Sequence, residues 1–208
     1  LQTTGRQYDL MASEPSNPYR SGVSSLYTLD FYQHARLRLK PGGLFMQWLQ
    51  GYEIDVPTVR MVLTTLTQAC AHVEIWETKP GDMVLICANE RPSYDLARLQ
   101  TRVMDPVIRE ALRVGWRTSR VEGLLAHFVA NEKFVARVAA ESKTPVNTDN
   151  RNRLEYRFAR TVGRGVDFSV AQLREDARQL ELSRPRQISE GVDWEAVVDQ
   201  RIAYEAAL

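Results

Sequence analysis

The sequence predicts an α/β fold: a sheet with parallel strands and an antiparallel hairpin, followed by a helical C-terminal region. Three observations predict it. Two short apolar runs, residues 10–12 and 44–49, are separated by a segment of helical period. Two strand-like runs, residues 73–78 and 83–88, flank Lys79-Pro80-Gly81-Asp82, whose turn chemistry predicts a hairpin. From Pro92 onward the pattern turns helical, with a cap candidate before each apolar stripe.

Taken in order, residues 8–13 read as the first strand, ending at the carboxylate Glu14 and a stiff polar loop, Pro15-Ser16-Asn17-Pro18. Residues 28–40 read as a helix. Thr28 caps it, Asp30 suits its positive end, and Leu29, Tyr32, Ala35 and Leu39 form a stripe. Lys40-Pro41-Gly42-Gly43 is expected to stop it. Residues 44–49 are too short for a helix and read as a buried strand, leading into a loop on the same side as Glu14. Asp55 and Pro57 open the next helix, with Val59, Val62, Leu63, Leu66 and Cys70 on one face. After the hairpin, helices are predicted over residues 93–103, 105–113, 119–128 and 131–140. Residues 154–158 alternate like a strand. Residues 163–167 read as a linker, and 169–182 and 193–208 as two further helices.

At 208 residues the chain is expected to form one domain with a small appendage. A net charge of +1 gives no global electrostatic case for nucleic acid or a membrane surface. No apolar run approaches the roughly 18 residues of a membrane helix. Cys70 and Cys87 give no metal spacing and no disulfide framework, which fits a reducing, cytoplasmic setting. His34, His72 and His127 lack metal-ligand spacing and read as surface or helix-end residues. No GxSxG motif is present.

A carboxylate at the end of a parallel strand lies where open α/β sheets bind ligands. The stretch around Glu14 also resembles that of the polyamine synthases (spermidine synthase and its relatives), which carry YDVIxxDSSDP, a loop, and LFxxxFY. Tyr8-Asp9-Leu10-Met11 and Glu14-Pro15-Ser16-Asn17-Pro18 match the first part, and Leu26-Tyr27-Thr28-Leu29-Asp30-Phe31-Tyr32 the second. The likeness continues through Lys40-Pro41-Gly42-Gly43 and Gln47. Asn147-Thr148-Asp149-Asn150-Arg151 is similar to the NTDDRPxxEF ending of bacterial spermidine-synthase-like proteins.

The resemblance implies the C-terminal half of a methyltransferase-like Rossmann domain. Residues 1–91 would be its second half, 92–160 a helical insertion and terminal strand, and 161–208 a helical extension. It implies that the intact parent transfers an aminopropyl or methyl group from decarboxylated S-adenosylmethionine or S-adenosylmethionine to an amine. Glu14 would be base or amine anchor, and Ser16, Asn17 and Gln47 would hold the substrate. No cofactor-binding residue is assigned, because no Gly-rich turn follows a strand here, and no metal is expected. Two family aspartates are replaced, by Glu14 and Asn17. The second loses a charge, which weakens capture of a dication.

Other readings are weighed beside this one. Read alone, Glu14 is a turn carboxylate or a partner of Arg20; the motif around it favours a role in the site. Ser16 and Asn17 are also ordinary turn residues. Gln47 reads equally as a polar strand end. Trp48, Tyr52 and Trp76 read as core or pocket wall, and Asp149 and Arg151 as a brace. The alternative function is a non-catalytic interaction domain, and a third is a methyltransferase with another acceptor. A half sheet leaves an open edge, so self-association or a missing N-terminal half is expected to cover it.

Overall fold

A computed structural model describes residues 5–15, 22–161 and 168–208. Its centre is a mixed five-stranded sheet in the order β1-β2-β4-β3-β5. The strands are β1 (Tyr8–Ser13), β2 (Leu39–Gln50), β3 (His72–Lys79), β4 (Asp82–Ala88) and β5 (Phe128–Ala130). β1 pairs parallel to β2, and the other three pairings are antiparallel. The parallel character predicted from the sequence is therefore confined to one pair.

The helices are α1 (Leu29–Leu37), α2 (Val56–Ala69), α3 (Leu96–Val103), α4 (Pro106–Trp116), α5 (Val121–Leu125), α6 (Glu132–Glu141), α7 (Arg153–Thr161), α8 (Val170–Gln179) and α9 (Trp194–Ala206). Their starts follow from side-chain caps. Thr28, Asp55, Asp95, Asp105, Asn131, Ser169 and Asp193 each accept a hydrogen bond from a backbone N–H of the first turn.

One sheet face presents Phe45, Leu49, Val73, Ile75, Met83, Leu85 and Cys87, all buried in one core with α2 residues Val59, Val62, Leu63 and Leu66. Each such side chain, fully buried, contributes roughly 1.5–3 kcal/mol. Trp76 alternates with Ile75 and points to the opposite face. There it joins a second cluster with Val103, Val121, Leu125, Ala126 and Val197. The outer strand β1 is left half bare, with Leu10 58% exposed.

Four expectations are corrected. First, Lys40-Pro41-Gly42-Gly43 does not precede a strand but lies inside β2. The pairing with β1 shifts between Tyr8↔Leu39 and Leu10↔Leu44, so the Pro-Gly-Gly run forms a bulge. Gly42 takes φ 69°, and a Cβ on Gly43 would come within 2.9 Å of the Tyr8 and Lys40 carbonyl oxygens. Second, the segment over residues 119–128 splits into α5 and β5, the latter pairing Phe128 with Trp76 and Ala130 with Ile75. Third, the terminal strand expected at residues 154–158 is part of helix α7. Asn147 Oδ1 accepts from the Arg153 and Leu154 amides, which starts a helix there. Leu154 is buried while Tyr156 is 70% exposed, so the alternation does not mark a single buried face.

Fourth, Cys70 and Cys87 form a disulfide, with Cα atoms 5.6 Å apart. This removes the support that two free thiols lent to a cytoplasmic setting. No helix among the described residues is long and apolar enough to cross a membrane. The predicted linker at residues 163–167 lies outside the described residues.

Candidate functional site

Because β1 and β2 run parallel, their C-terminal ends share one rim of the sheet. Ser13 pairs with Gln47 in register, and Glu14 follows directly, its side chain exposed. Gln47 is completely buried. Its Nε2 donates to the Trp48 carbonyl at 2.9 Å and lies 3.5 Å from the Ser13 carbonyl. Those two carbonyls fix which way the amide faces and leave Oε1 as a buried acceptor without a partner among the described residues. Tyr27 Oη donates to the same Trp48 carbonyl at 3.2 Å, and burial pushes this phenol far above its usual range, opposed by a hydrogen bond with the Gln47 side chain. Ser16, Asn17, Tyr19 and Arg20 lie outside the described residues.

The 147–151 loop reaches the start of α1, directly after Tyr27. Asn147, fully buried, donates through Nδ2 to the Tyr27 carbonyl at 3.2 Å, while its backbone N–H donates to Thr65 Oγ1 at 3.0 Å. Asp149 accepts from Thr28 Oγ1 at 2.6 Å, and its own amide donates to Asp30 Oδ2 at 2.9 Å. The loop thus braces the N-terminus of α1 through hydrogen bonds to Thr28 and Asp30. The structure brings Glu14, Gln47 and Tyr27 to one rim, with the 147–149 brace behind Tyr27. Tyr52 is 51% exposed, and Trp76 belongs to the second cluster, edge-on to Phe128 at 5.1 Å.

Sequence reasoning missed three buried ionic groupings. Glu77, 3% exposed, accepts from Arg174 at 2.9 Å and Arg201 at 2.6 Å. Glu132 holds Arg91 at 2.8 Å and Arg186 at 3.0 Å, with His72 at 4.0 Å. Glu74 accepts from Tyr94 Oη at 2.5 Å, and burial raises its carboxyl to about 7. His127, expected as a surface or helix-end residue, lies just past the end of α5 and is buried. It stacks on Trp116 at 4.0 Å, and burial lowers its pKa to about 4. The partners in the three ionic groupings sit 20 to 124 residues apart, so no local pattern carried the signal. The one available hint was the acidic residues within the apolar run of β3. Among the described residues no group of three or more His, Cys, Asp and Glu side chains is placed to hold a metal ion.

Three cavities stand out. One of about 110 Å³ lies among α2, α6 and α8, one of about 360 Å³ between α8 and α9, and one of about 410 Å³ beside Gly81 and Glu77. Neither Glu14 nor Gln47 lines any of these three. The glycines of left-handed conformation fall at Gly22, in the connection from β1 to α1, at the β2 bulge, in the β3–β4 turn and at Gly191.

No family model and no curated protein sequence matches the chain. Among solved structures it is similar to the crystal structure of a probable spermidine synthase from Corynebacterium glutamicum ATCC 13032. The identity is 13% and the TM-score 0.42, over 68% of this chain. The match covers 48% of the other chain, so this chain spans about half the length of the protein it is similar to.

Proposed function

We propose that this chain carries the amine-binding side of an alkyl-transferring site, the parent protein moving an aminopropyl or methyl group onto a small amine. The observation that supports the reading is the unpartnered Gln47 Oε1, a buried acceptor on the rim that bears the Glu14 carboxylate. An ammonium group needs acceptors and negative charge, and these two groups offer both. Glu14 pairs with the ammonium and takes its proton, which frees the nitrogen lone pair. Ser16 and Asn17 hold the far end of the amine in this reading. The donor is decarboxylated S-adenosylmethionine or S-adenosylmethionine, which supplies the electrophilic carbon; it is held by residues outside this set.

Titration of the isotopically labelled chain with putrescine, followed by amide NMR, tests the reading. Shifts are expected at Ser13, Glu14 and Trp48 and at the Gln47 side-chain amide, with Glu14→Gln weakening binding about tenfold. Equal shifts from sodium chloride at matched ionic strength, or an unchanged affinity in Glu14→Gln, overturn it. The second reading, a non-catalytic interaction domain, is favoured by the bare outer edge of β1 and the absence of the rim from the three cavities described. Absence of amine binding together with association through β1 is the outcome that reading expects.

A further inference from the structure

We propose that the groove between α8 and α9 binds a small amphipathic carboxylate, an apolar body carrying a single acid group. The groove encloses about 360 Å³, within the range of small-molecule sites and at its compact end. Phe128, Trp194, Val197 and Ile202 give it apolar walls. Four arginines line it as well, Arg174, Arg178, Arg184 and Arg201, and among the described residues no carboxylate does.

These guanidinium groups are unevenly neutralised. Arg174 and Arg201 share the single buried carboxylate of Glu77. Arg201 also pairs with Glu205, whose side chain is 52% exposed. Arg178 is held by Glu175 on the outside of α8. Arg184 sits over the Trp194 ring, its Cζ 4.4 Å from the centroid, with no carboxylate partner among the described residues. Arg201 Nη1 is buried and has no hydrogen-bond partner among the described residues, and the same holds for Arg174 Nε. A buried unpaired donor is costly, so a planar acceptor reaching either one recovers free energy. A carboxylate engages the guanidinium fork through two parallel charge-assisted hydrogen bonds, which a neutral group of the same size cannot match.

Two exposed apolar residues on α9 point to an apolar ligand body. Val198 is 55% exposed and Ile202 59%, one turn apart on the groove's rim. A bare inorganic anion would leave this rim wet; an alkyl or aryl chain covers it. An ammonium ligand is repelled, because the charged side chains lining the groove among the described residues are all arginines.

The experiment is calorimetric titration of the full chain with 4-phenylbutyrate, 4-phenylbutan-1-ol, 4-phenylbutylamine and phenyl phosphate. Saturable binding of the carboxylate is expected, about tenfold tighter than the alcohol, with none for the amine. Arg184→Glu and Ile202→Glu, both at solvent-exposed positions, are each expected to weaken carboxylate binding about tenfold while leaving the thermal midpoint in place. Equal affinity for acid and amine overturns the proposal, as does indifference to both substitutions or no binding of any probe. Tighter binding of phenyl phosphate replaces the carboxylate with a phosphoryl ligand and overturns the assignment as stated. The Glu14 rim plays no part in this test, so its failure leaves the amine reading untouched.

Discussion

Glu74 and His127 are both buried titratable groups, and burial acts on them with opposite signs. Burial raises the Glu74 carboxyl from 4.5 to about 7, helped by the nearby Glu132 and opposed by the Tyr94 hydrogen bond. The stability that accompanies a raised carboxyl is fully present below pH 4.5 and is lost as pH rises through 7. Burial lowers His127 from 6.5 to about 4, with Arg201 and Arg174 adding to the effect and the Glu77 carbonyl opposing it. Its contribution is fully present above pH 6.5 and is lost as pH falls toward 4. Between about pH 4.5 and 6.5 the two slopes oppose each other, so neither is visible in the wild-type profile. Glu74→Gln removes one of them and keeps an oxygen for Tyr94. The expected outcome is a gain on the order of 2 kcal/mol at pH 8 that vanishes by pH 4.5. Urea unfolding at both pH values measures it, and an equal effect at the two would exclude this origin.

Elements were legible where a cap met a long apolar period. Thr28, Asp55, Asp105 and Asn131 open helices as expected, because each supplies an oxygen to an otherwise unpaired amide. Short elements were not legible. The three residues of β5 carry no period, and α7 starts because Asn147, five residues before Asn152, folds back onto Arg153 and Leu154. The candidate site divides the same way. The strand-end positions of Glu14 and Gln47 were readable because parallel strand ends define a rim, whereas the Glu74–Tyr94 contact joins β3 to a segment beyond β4. The Cys70–Cys87 bridge belongs to this scale, since it ties the C-terminus of α2 to β4 and encloses all of β3. Its 17-residue separation predicts a loss of about 3 kcal/mol when it is opened, by restoring freedom to the unfolded chain. Dithiothreitol should lower the denaturation midpoint of the wild type and leave the Cys70→Ala/Cys87→Ala variant unchanged. A wild type indifferent to reductant would refute the bridge.

Over the whole molecule, the described C-terminal helices are tied into the sheet by charge as much as by apolar contact. Glu77 on β3 receives Arg174 from α8 and Arg201 from α9, while Arg174 also donates to the Ala126 and Phe128 carbonyls at 3.2 and 2.6 Å. Tyr204 of α9 closes the arrangement edge-on to His127 at 4.7 Å. None of this was readable from the sequence, because 97 and more residues separate Glu77 from its arginines and each alone resembles a surface charge. The energetic consequence follows from desolvation. A buried carboxylate shared by two guanidinium groups contributes little net stability, but removing it strands two buried cations beside each other. Glu77→Gln is therefore expected to cost about 3–5 kcal/mol. Glu175→Gln, which breaks the exposed pair with Arg178, should leave the midpoint where it is. Denaturant titrations of both variants decide it. The slope offers a second readout: loss of the tie lets α8 and α9 detach before the sheet unfolds, which broadens the transition and lowers the apparent m-value in Glu77→Gln alone. Equal and small effects in the two variants would mean that the helices are held by Val170, Ala177, Val197 and Tyr204 without help from the buried charge.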